Sequence, residues 1–165
     1  MASTSTPATV LLNREKVAHR VHEYAHDPRA ASFGAEAVEE LGARLGVSPE
    51  QIFKTLVISS SEGSLAVAVI PVPATLSLKA AAGALGGGKA TMAERTAAER
   101  ATGYVLGGIS PLGQRKRLRT VVDASAEQWD RVLCSAGRRG LEIELDPREL
   151  IRLTGAVVAP ITTGR

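Results

Sequence analysis

The sequence predicts a single α/β domain with a mixed sheet, and three observations carry that prediction. Helical and strand-like stretches intermix along the chain rather than segregating. Two β-rich runs, "KTLVISS" and "SLAVAVIPV", flank "SEG", which is a hairpin signal. Neither an internal repeat nor a linker interrupts the 165 residues, a length that suits one domain and can bury a core.

The elements follow in order. Thr6 before Pro7 reads as a helix cap with proline in the first helical position, opening a helix through "PATVLLNREK". "VAHRVHEYA" alternates as a strand does, and "HDP" stops it. "GAEAVEELGARLG" is a second helix. In "SPEQIF", Ser48 caps, Pro49 opens and Gln51 completes a capping box. The hairpin comes next, and its second strand is nearly all apolar, which places it in the sheet centre, buried on both faces. "LSLKAAAGAL" is an alanine-rich helix, "KATMA" a short strand and "AERTAAERA" a charged helix. "GYVLGGISPLG" holds too much glycine for a regular element and reads as a loop. "TVVD" is a strand, "SAEQWDRV" a helix, and "VLCSAG" and "LEIEL" are strands around "RRG", with Ser135 and Gly137 on the turn. "DPREL" opens the last helix with Asp146 as cap and Glu149 in the capping-box position, and "AVVAPIT" is a final strand.

Composition narrows the function classes. Hydrophobic residues make up 44% and charged residues 22%, as in ordinary globular domains. Aromatics are only 3%, so Ala, Val and Leu must fill the core. The net charge of +3 permits an anionic partner without demanding one, and the clustering of cations in "QRKRLR" says more than the total. One cysteine, Cys134, excludes an internal disulfide and a four-thiolate metal site, and fits a reducing compartment. "AVAVIPV" is too short to span a bilayer, and "MASTST" lacks the features of a secretory signal. A cytoplasmic protein without membrane attachment is expected.

"GALGGGKAT" matches the G-x-x-x-x-G-K spacing of a phosphate-binding loop through Gly83, Gly88 and Lys89. That loop needs a hydroxyl residue after the lysine, with a strand before the glycines and a helix after them. Here Ala90 follows Lys89, and the order is helix, glycines, strand. The glycines therefore read as a helix stop.

Other stretches could carry chemistry. His22 and His26 in "HEYAHDP" are four apart, a spacing that on a helix suits a metal. Pro28 and the alternation instead place them at a strand end, with no third ligand near, so hydrogen bonding or exposure is expected and no metal. Lys54 opens a buried strand. It either snorkels to the surface or points into a cleft to meet an anion or a polarised carbonyl, and context alone does not choose. Gly107 and Gly108 allow close backbone approach to a ligand. Arg115, Lys116, Arg117 and Arg119, directly after that loop, suit a phosphate backbone. Cys134, between apolar neighbours and without a histidine partner, reads as a small hydrophobe.

Taken together, "HEYAHDP", Phe33–Gly34, "FKTLVI", "ATGYVLGGISPLGQRKR" and "SAGRRGLEIE" resemble, in this order, the YbaK/EbsC-type Cys-tRNA(Pro) deacylases. The resemblance implies an editing domain over residues 6–162, between tails at 1–5 and 163–165. It implies a mixed sheet closed into a partial barrel with helices around it. It also implies a trans-editing hydrolase that cleaves the ester of tRNA(Pro) mischarged with cysteine, an amino acid close to proline in size. Lys54 matches the family's essential lysine. Backbone N–H groups near Gly107 and Lys54 would hold the carbonyl as it becomes an oxyanion. Tyr24, Phe33, Gly107, Ser135 and Glu142 fall on pocket positions, and Thr55, Gly108 and Gly137 are expected beside them in substrate binding. The nucleophile would be the substrate's own thiol or a water. No cofactor is implied; the partners are the charged tRNA and prolyl-tRNA synthetase, not DNA. Two departures stand out. The family's "SGGKRG" is here Ser135-Ala136-Gly137-Arg138-Arg139-Gly140, and Glu142 replaces an aspartate. The alternatives are a relative that clears Ala or Ser from tRNA, and a tRNA-binding module without catalysis.

Overall fold

The structure, a computed structural model, describes residues 4–25 and 33–163, with Phe33 and Gly34 as backbone only. Two sheets form. β1 (His19–Glu23), β7 (Leu141–Leu145) and β6 (Val132–Arg138) make an antiparallel three-stranded sheet in the order β1-β7-β6. The other sheet has five strands in the order β4-β2-β3-β5-β8: β4 (Ala90–Met92), β2 (Phe53–Ser60), β3 (Leu65–Pro71), β5 (Arg119–Asp123) and β8 (Val157–Ala159). The hairpin β2–β3 is antiparallel as expected, whereas β3–β5 and β5–β8 are parallel. The α/β class with a mixed sheet therefore holds. The strands do not close into a barrel: a single bridge, Ile52 to Leu133, links the two sheets.

Strand β3 shows why its sequence is almost wholly apolar. Val67 and Val69 point into the main core with Phe53, Cys134, Ile143 and Leu145. Ala68 and Ile70, on the opposite face, pack with Val121 and Ala81. The period-2 alternation of side chains thus serves two cores at once. Helices α1 (Pro7–Arg14) and α5 (Pro147–Thr154) cover the first core through Ala8, Leu12 and Leu150, and α3 (Leu78–Ala84) covers the second. Helix α2 (Phe33–Leu45) places Ala37 and Leu41 over Ile52 and Leu133. Helix α4 (Arg95–Thr102) places Ala98 beside Val57 and Tyr104.

The caps explain the element ends. Thr6 and Thr9 form a reciprocal capping box on α1. Ser77 caps α3, and Gly86 in the left-handed region (φ 81°) follows its last turn, so "GALGGGK" is a helix stop leading into β4. Asp146 caps α5, but Glu149 pairs with Arg152 instead of closing a box. Several expected elements are shorter. The last strand ends at Ala159, before Pro160, which has no N–H for a ladder. "SAEQWDRV" is a 3-10 segment at Ala124–Gln128, not a helix. Buried Asp123 accepts from the Ser125 N–H and hydroxyl and, at 2.9 Å, from the Ile161 N–H. That tie pins the segment, and β6 must begin at Val132. Ser135 and Gly137 lie within β6 rather than on the turn. Ser135 pairs with Glu142, and a register shift follows between Ser135 and Arg138. No helix among the described residues is long and apolar enough to cross a membrane.

The shift in β6 is built on Gly137, whose φ is +107°. A Cβ there would sit 2.6 Å from Cε1 of Tyr104, a ring fixed by its hydroxyl donating to the Leu112 carbonyl at 2.6 Å. Gly137→Ala is therefore expected to cost about 3 kcal/mol from backbone strain and overpacking. Urea unfolding measures this, and an unchanged midpoint would show that Tyr104 can yield.

Candidate active site

Strand β2 has β3 on one side along its length, but β4 pairs with it only at Ile58–Ser60. Phe53–Leu56 thus keep an edge without a strand neighbour. A cavity of about 250 Å³ opens there, between the two sheets. Phe53, Lys54, Thr55 and Leu56 form one wall, and Ser135 of β6 and Glu142 of β7 form another. Tyr24, just past β1, and Ala37 of α2 close one end, while Leu106, Gly107 and Ile109 form the rim.

Six residues singled out in the sequence therefore meet in one cavity: Tyr24, Lys54, Thr55, Gly107, Ser135 and Glu142. Gly108 and Gly137 do not line it. A Cβ on Gly108 would lie 2.9 Å from the Arg138 Cα, so that glycine lets the loop lie against the β6–β7 turn. The Phe33 side chain and His26 lie outside the described residues. His22 is on the neighbouring strand, with Nε2 2.7 Å from Oε1 of Glu144. Among the described residues no group of three His, Cys, Asp or Glu could hold a metal.

Several of the cavity's polar groups lack partners among the described residues, although the Ser135 hydroxyl accepts from the Gly137 N–H at 3.1 Å. Glu142 is 6% exposed, and burial pushes its carboxyl up to about 8. Burial holds the Lys54 ammonium below its ordinary value, and no ion pair offsets this among the described residues. The Thr55 hydroxyl oxygen is buried and has no hydrogen-bond partner. The Gly107 N–H donates to nothing among the described residues. Burial, and secondarily the charge of Glu142, raises the Tyr24 hydroxyl, so that ring stays a neutral donor. Such unsatisfied groups cost folding free energy unless a ligand meets them. A cation, a carboxyl, a hydroxyl and a backbone donor converging on one small space can hold a molecule with an ammonium at one end and a polarised carbonyl at the other. Cys134 is fully buried and burial raises its thiol, so it is no nucleophile.

The basic run lies elsewhere. On β3, Ala66 stands opposite Arg119 and Ile70 opposite Lys54. At about 3.4 Å per residue the two levels are roughly 13 Å apart along the strands. Arg119 donates to the Leu85 carbonyl at the end of α3, and the Arg117 guanidinium lies over Gly155 at the end of α5. Lys116 and Arg117 line a separate cleft of about 200 Å³ with Arg14 and Thr154.

Leu56, Leu106 and Ile109 were not legible as cavity residues. For Leu106 a signal existed: "VL" sits between glycines in a loop, where apolar side chains have no core to join.

Residues 34–153 match the family model described as an aminoacyl-tRNA editing domain. A protein of Enterococcus faecalis named as a candidate Cys-tRNA(Pro)/Cys-tRNA(Cys) deacylase, EbsC, is 38% identical over 96% of this chain and 93% of its own. The solved structure of the hypothetical protein APE2540 is similar at TM-score 0.82 and 28% identity, covering 96% of this chain and all of that one. A candidate trans-editing enzyme for prolyl-tRNA synthetase is similar at TM-score 0.80 and 25% identity, over 98% of this chain and all of its own.

Glu142 should leave a signature in pH-dependent stability. Its folded value, about 8, lies above the ordinary 4.5, so between these the folded chain keeps a proton that the unfolded chain releases. Stability contributed by this group therefore falls as pH rises across that window. At about 1.4 kcal/mol per pH unit, the penalty reaches roughly 5 kcal/mol above pH 8. Glu142→Gln should match the natural protein near pH 4.5 and become progressively more stable than it towards pH 8. Urea midpoints across that range test this, and parallel curves would place the carboxylate in solvent.

Proposed function

This chain belongs to the aminoacyl-tRNA editing domain family, and on that premise we propose that it is a trans-editing hydrolase that deacylates mischarged Cys-tRNA(Pro). One observation carries the reading. Lys54, Thr55, Gly107, Ser135, Glu142 and Tyr24, spread along the sequence, converge on one cavity, where the buried Thr55 hydroxyl has no hydrogen-bond partner among the described residues. The deacylase name of the relative EbsC supports the substrate class.

The substrate is an ester between a ribose hydroxyl and the cysteine carboxyl. Glu142 receives the α-ammonium. The arriving positive charge lowers the carboxyl's pKa and leaves it ionised against its new partner. Thr55 and Ser135 offer hydroxyls to the amino acid, and Tyr24 closes the end of the space. The Gly107 N–H and the Lys54 ammonium face the ester carbonyl and stabilise the oxyanion as the tetrahedral carbon forms. Collapse of that carbon breaks the acyl–oxygen bond and releases the ribose hydroxyl of the tRNA. The ester is already activated, so no protein nucleophile is needed, and the attacking group is the substrate's thiol or a water. The ribose oxygen leaves with the proton given up by the attacking group; the water route yields free cysteine directly, whereas the thiol route yields a cyclic thioester that a water then opens to free cysteine. A size filter alone separates near-isosteres weakly, so a second site of this kind restores accuracy that the synthetase's own pocket lacks. The work is assigned to the cytoplasm, with prolyl-tRNA synthetase as the enzyme whose errors it clears.

Deacylation of Cys-, Ala-, Ser- and Pro-tRNA side by side tests the reading. Cys-tRNA(Pro) should be hydrolysed far faster than Pro-tRNA(Pro), and equal rates would sink it. Lys54→Ala should lower turnover by about 10²–10³-fold, the scale of losing one oxyanion donor, with an unchanged melting temperature. A variant that melts much lower would make Lys54 structural instead.

Arg115, Lys116, Arg117 and Arg119 are read as contacts to tRNA phosphates. The offset of Arg119 from Lys54 along the strands suits the body of the tRNA rather than the esterified nucleotide. Affinity should fall with salt at a log–log slope of roughly −0.7 to −0.9 per contact. Lys116 is exposed, so Lys116→Ala should flatten the slope by about one contact without changing amino-acid preference. Titrations at several salt concentrations check this, and an unchanged slope would remove Lys116 from the interface.

A further inference from the structure

Two large apolar side chains adjacent in the chain are exposed, Val105 at 56% and Leu106 at 42%, and Leu106 lines the cavity rim. Single exposed apolar residues are ordinary, but an adjacent pair fixed in place at the rim of a reactive cavity is not. The pair sits on a turn closed by the Gly108 N–H donating to the Val105 carbonyl at 2.9 Å. Gly107 occupies the turn position reserved for glycine, at φ 90°. Leu106 is clamped from both sides. Its N–H donates to Glu99 at 2.7 Å, and its carbonyl accepts from Arg139 Nε at 3.1 Å and Nη2 at 2.8 Å. Arg95 in turn holds Glu99 at 3.3 Å. Two arginines and a glutamate thus fix the backbone of Leu106 and, through the turn, hold an exposed apolar pair in place.

We propose that Val105 and Leu106 form a shelf for the adenine base of the tRNA's terminal nucleotide. The proposal rests on the deacylase reading. The scissile ester is carried by the ribose of that adenosine, so a carbonyl held at Gly107 brings its base to the residues just before Gly107. A base is a flat, largely apolar face that must be covered when the strand end is unstacked, and proteins usually cover it with aromatic rings. Of the described rings, Phe53 and Tyr24 line the cavity itself and Trp129 packs against the main core. Phe53 and Tyr104 are buried, and Tyr24 packs over the Ala37–Leu41–Ile52–Leu133 cluster. The aliphatic shelf takes their place. Its fixed backbone lets it orient the ribose so that the ester carbonyl meets the Gly107 N–H, which makes Val105 and Leu106 positioning residues.

AMP and ribose 5-phosphate, which share sugar and phosphate but not the base, are the probes. Calorimetric titration needs no turnover. AMP should bind roughly tenfold more tightly than ribose 5-phosphate, and Val105→Ser and Leu106→Ser should each erase most of that difference, the scale of losing one stacked base. Val105→Ile should keep it. On Cys-tRNA(Pro), Val105→Ser should raise KM by a similar factor with kcat within about twofold, and thermal unfolding should be unchanged because the side chain is exposed. Equal affinity for the two probes in the natural protein, or a Val105→Ser variant with unaltered KM, overturns the shelf and leaves the deacylase reading standing. A natural protein that binds AMP preferentially yet hydrolyses no Cys-tRNA overturns the deacylase reading instead.

Discussion

At Phe53–Leu56 strand β2 is paired by β3 on one edge and by no described strand on the other, and the candidate site depends on that half-open edge. An unpaired edge exposes N–H and C=O groups and invites wrong pairing, so proteins normally shorten, charge or cover it. Here β4 pairs only the far end, the Ile52–Leu133 bridge ties down the near end, and the loop carrying Gly107 rims the stretch between. Lys54 on that edge adds charge against strand addition. The cavity is what remains between the two sheets once the cover is in place. Both faces of β3 are needed for packing, which is why the site forms on β2, its neighbour.

The glycines divide between cavity and scaffold. Gly107 faces the cavity and presents a free N–H, while Gly108 lets the same loop press against the Arg138–Arg139 backbone. Gly137 makes room for Tyr104, whose hydroxyl holds the Leu112 carbonyl farther along that loop. The loop and the β6–β7 turn therefore fix each other, and Arg139 adds a further tie to Leu106. On the proposed function Gly107 is an oxyanion donor, which has to be in place before charge develops, and this mutual packing holds it there without help from a ligand.

Much of the fold could be read directly. The hairpin around "SEG", the central strand "LAVAVIP", the Thr6 cap and the glycine stop after the alanine helix all follow from local chemistry and period. What escaped was non-local. The 3-10 segment at Ala124–Gln128 is short because Asp123 is tied to Ile161, far along the chain. The register shift in β6 answers to Tyr104, and the division into two sheets follows from packing that no single strand reports. The site shows the same division. Lys54 and the glycines stood out by type, whereas Glu142 was named only through the family resemblance. The apolar wall of Leu56 and Ile109 did not, because a leucine facing a cavity and one facing a core are the same letter. Thr55 was named, but the lack of a partner for its hydroxyl is a property of three-dimensional surroundings alone.

The separation between the basic run and the cavity has a physical consequence. A phosphate contact near the ester would place another negative charge beside the developing oxyanion and compete for Lys54. Set roughly 13 Å away along the strands, exposed cations are largely screened from the cavity, since that spacing exceeds the Debye length of about 8 Å at physiological salt. Lys54, in contrast, sits in a partly desolvated wall where its field is screened less. On the proposed function, exposed, salt-sensitive charges hold the polyanion while a different, sheltered charge acts on the ester. Affinity for the nucleic acid and discrimination of the amino acid are then set by residues that do not touch. The neutral Glu142 completes that logic: its carboxyl carries little charge until an ammonium enters, so an empty cavity adds little negative potential against the approach of the tRNA.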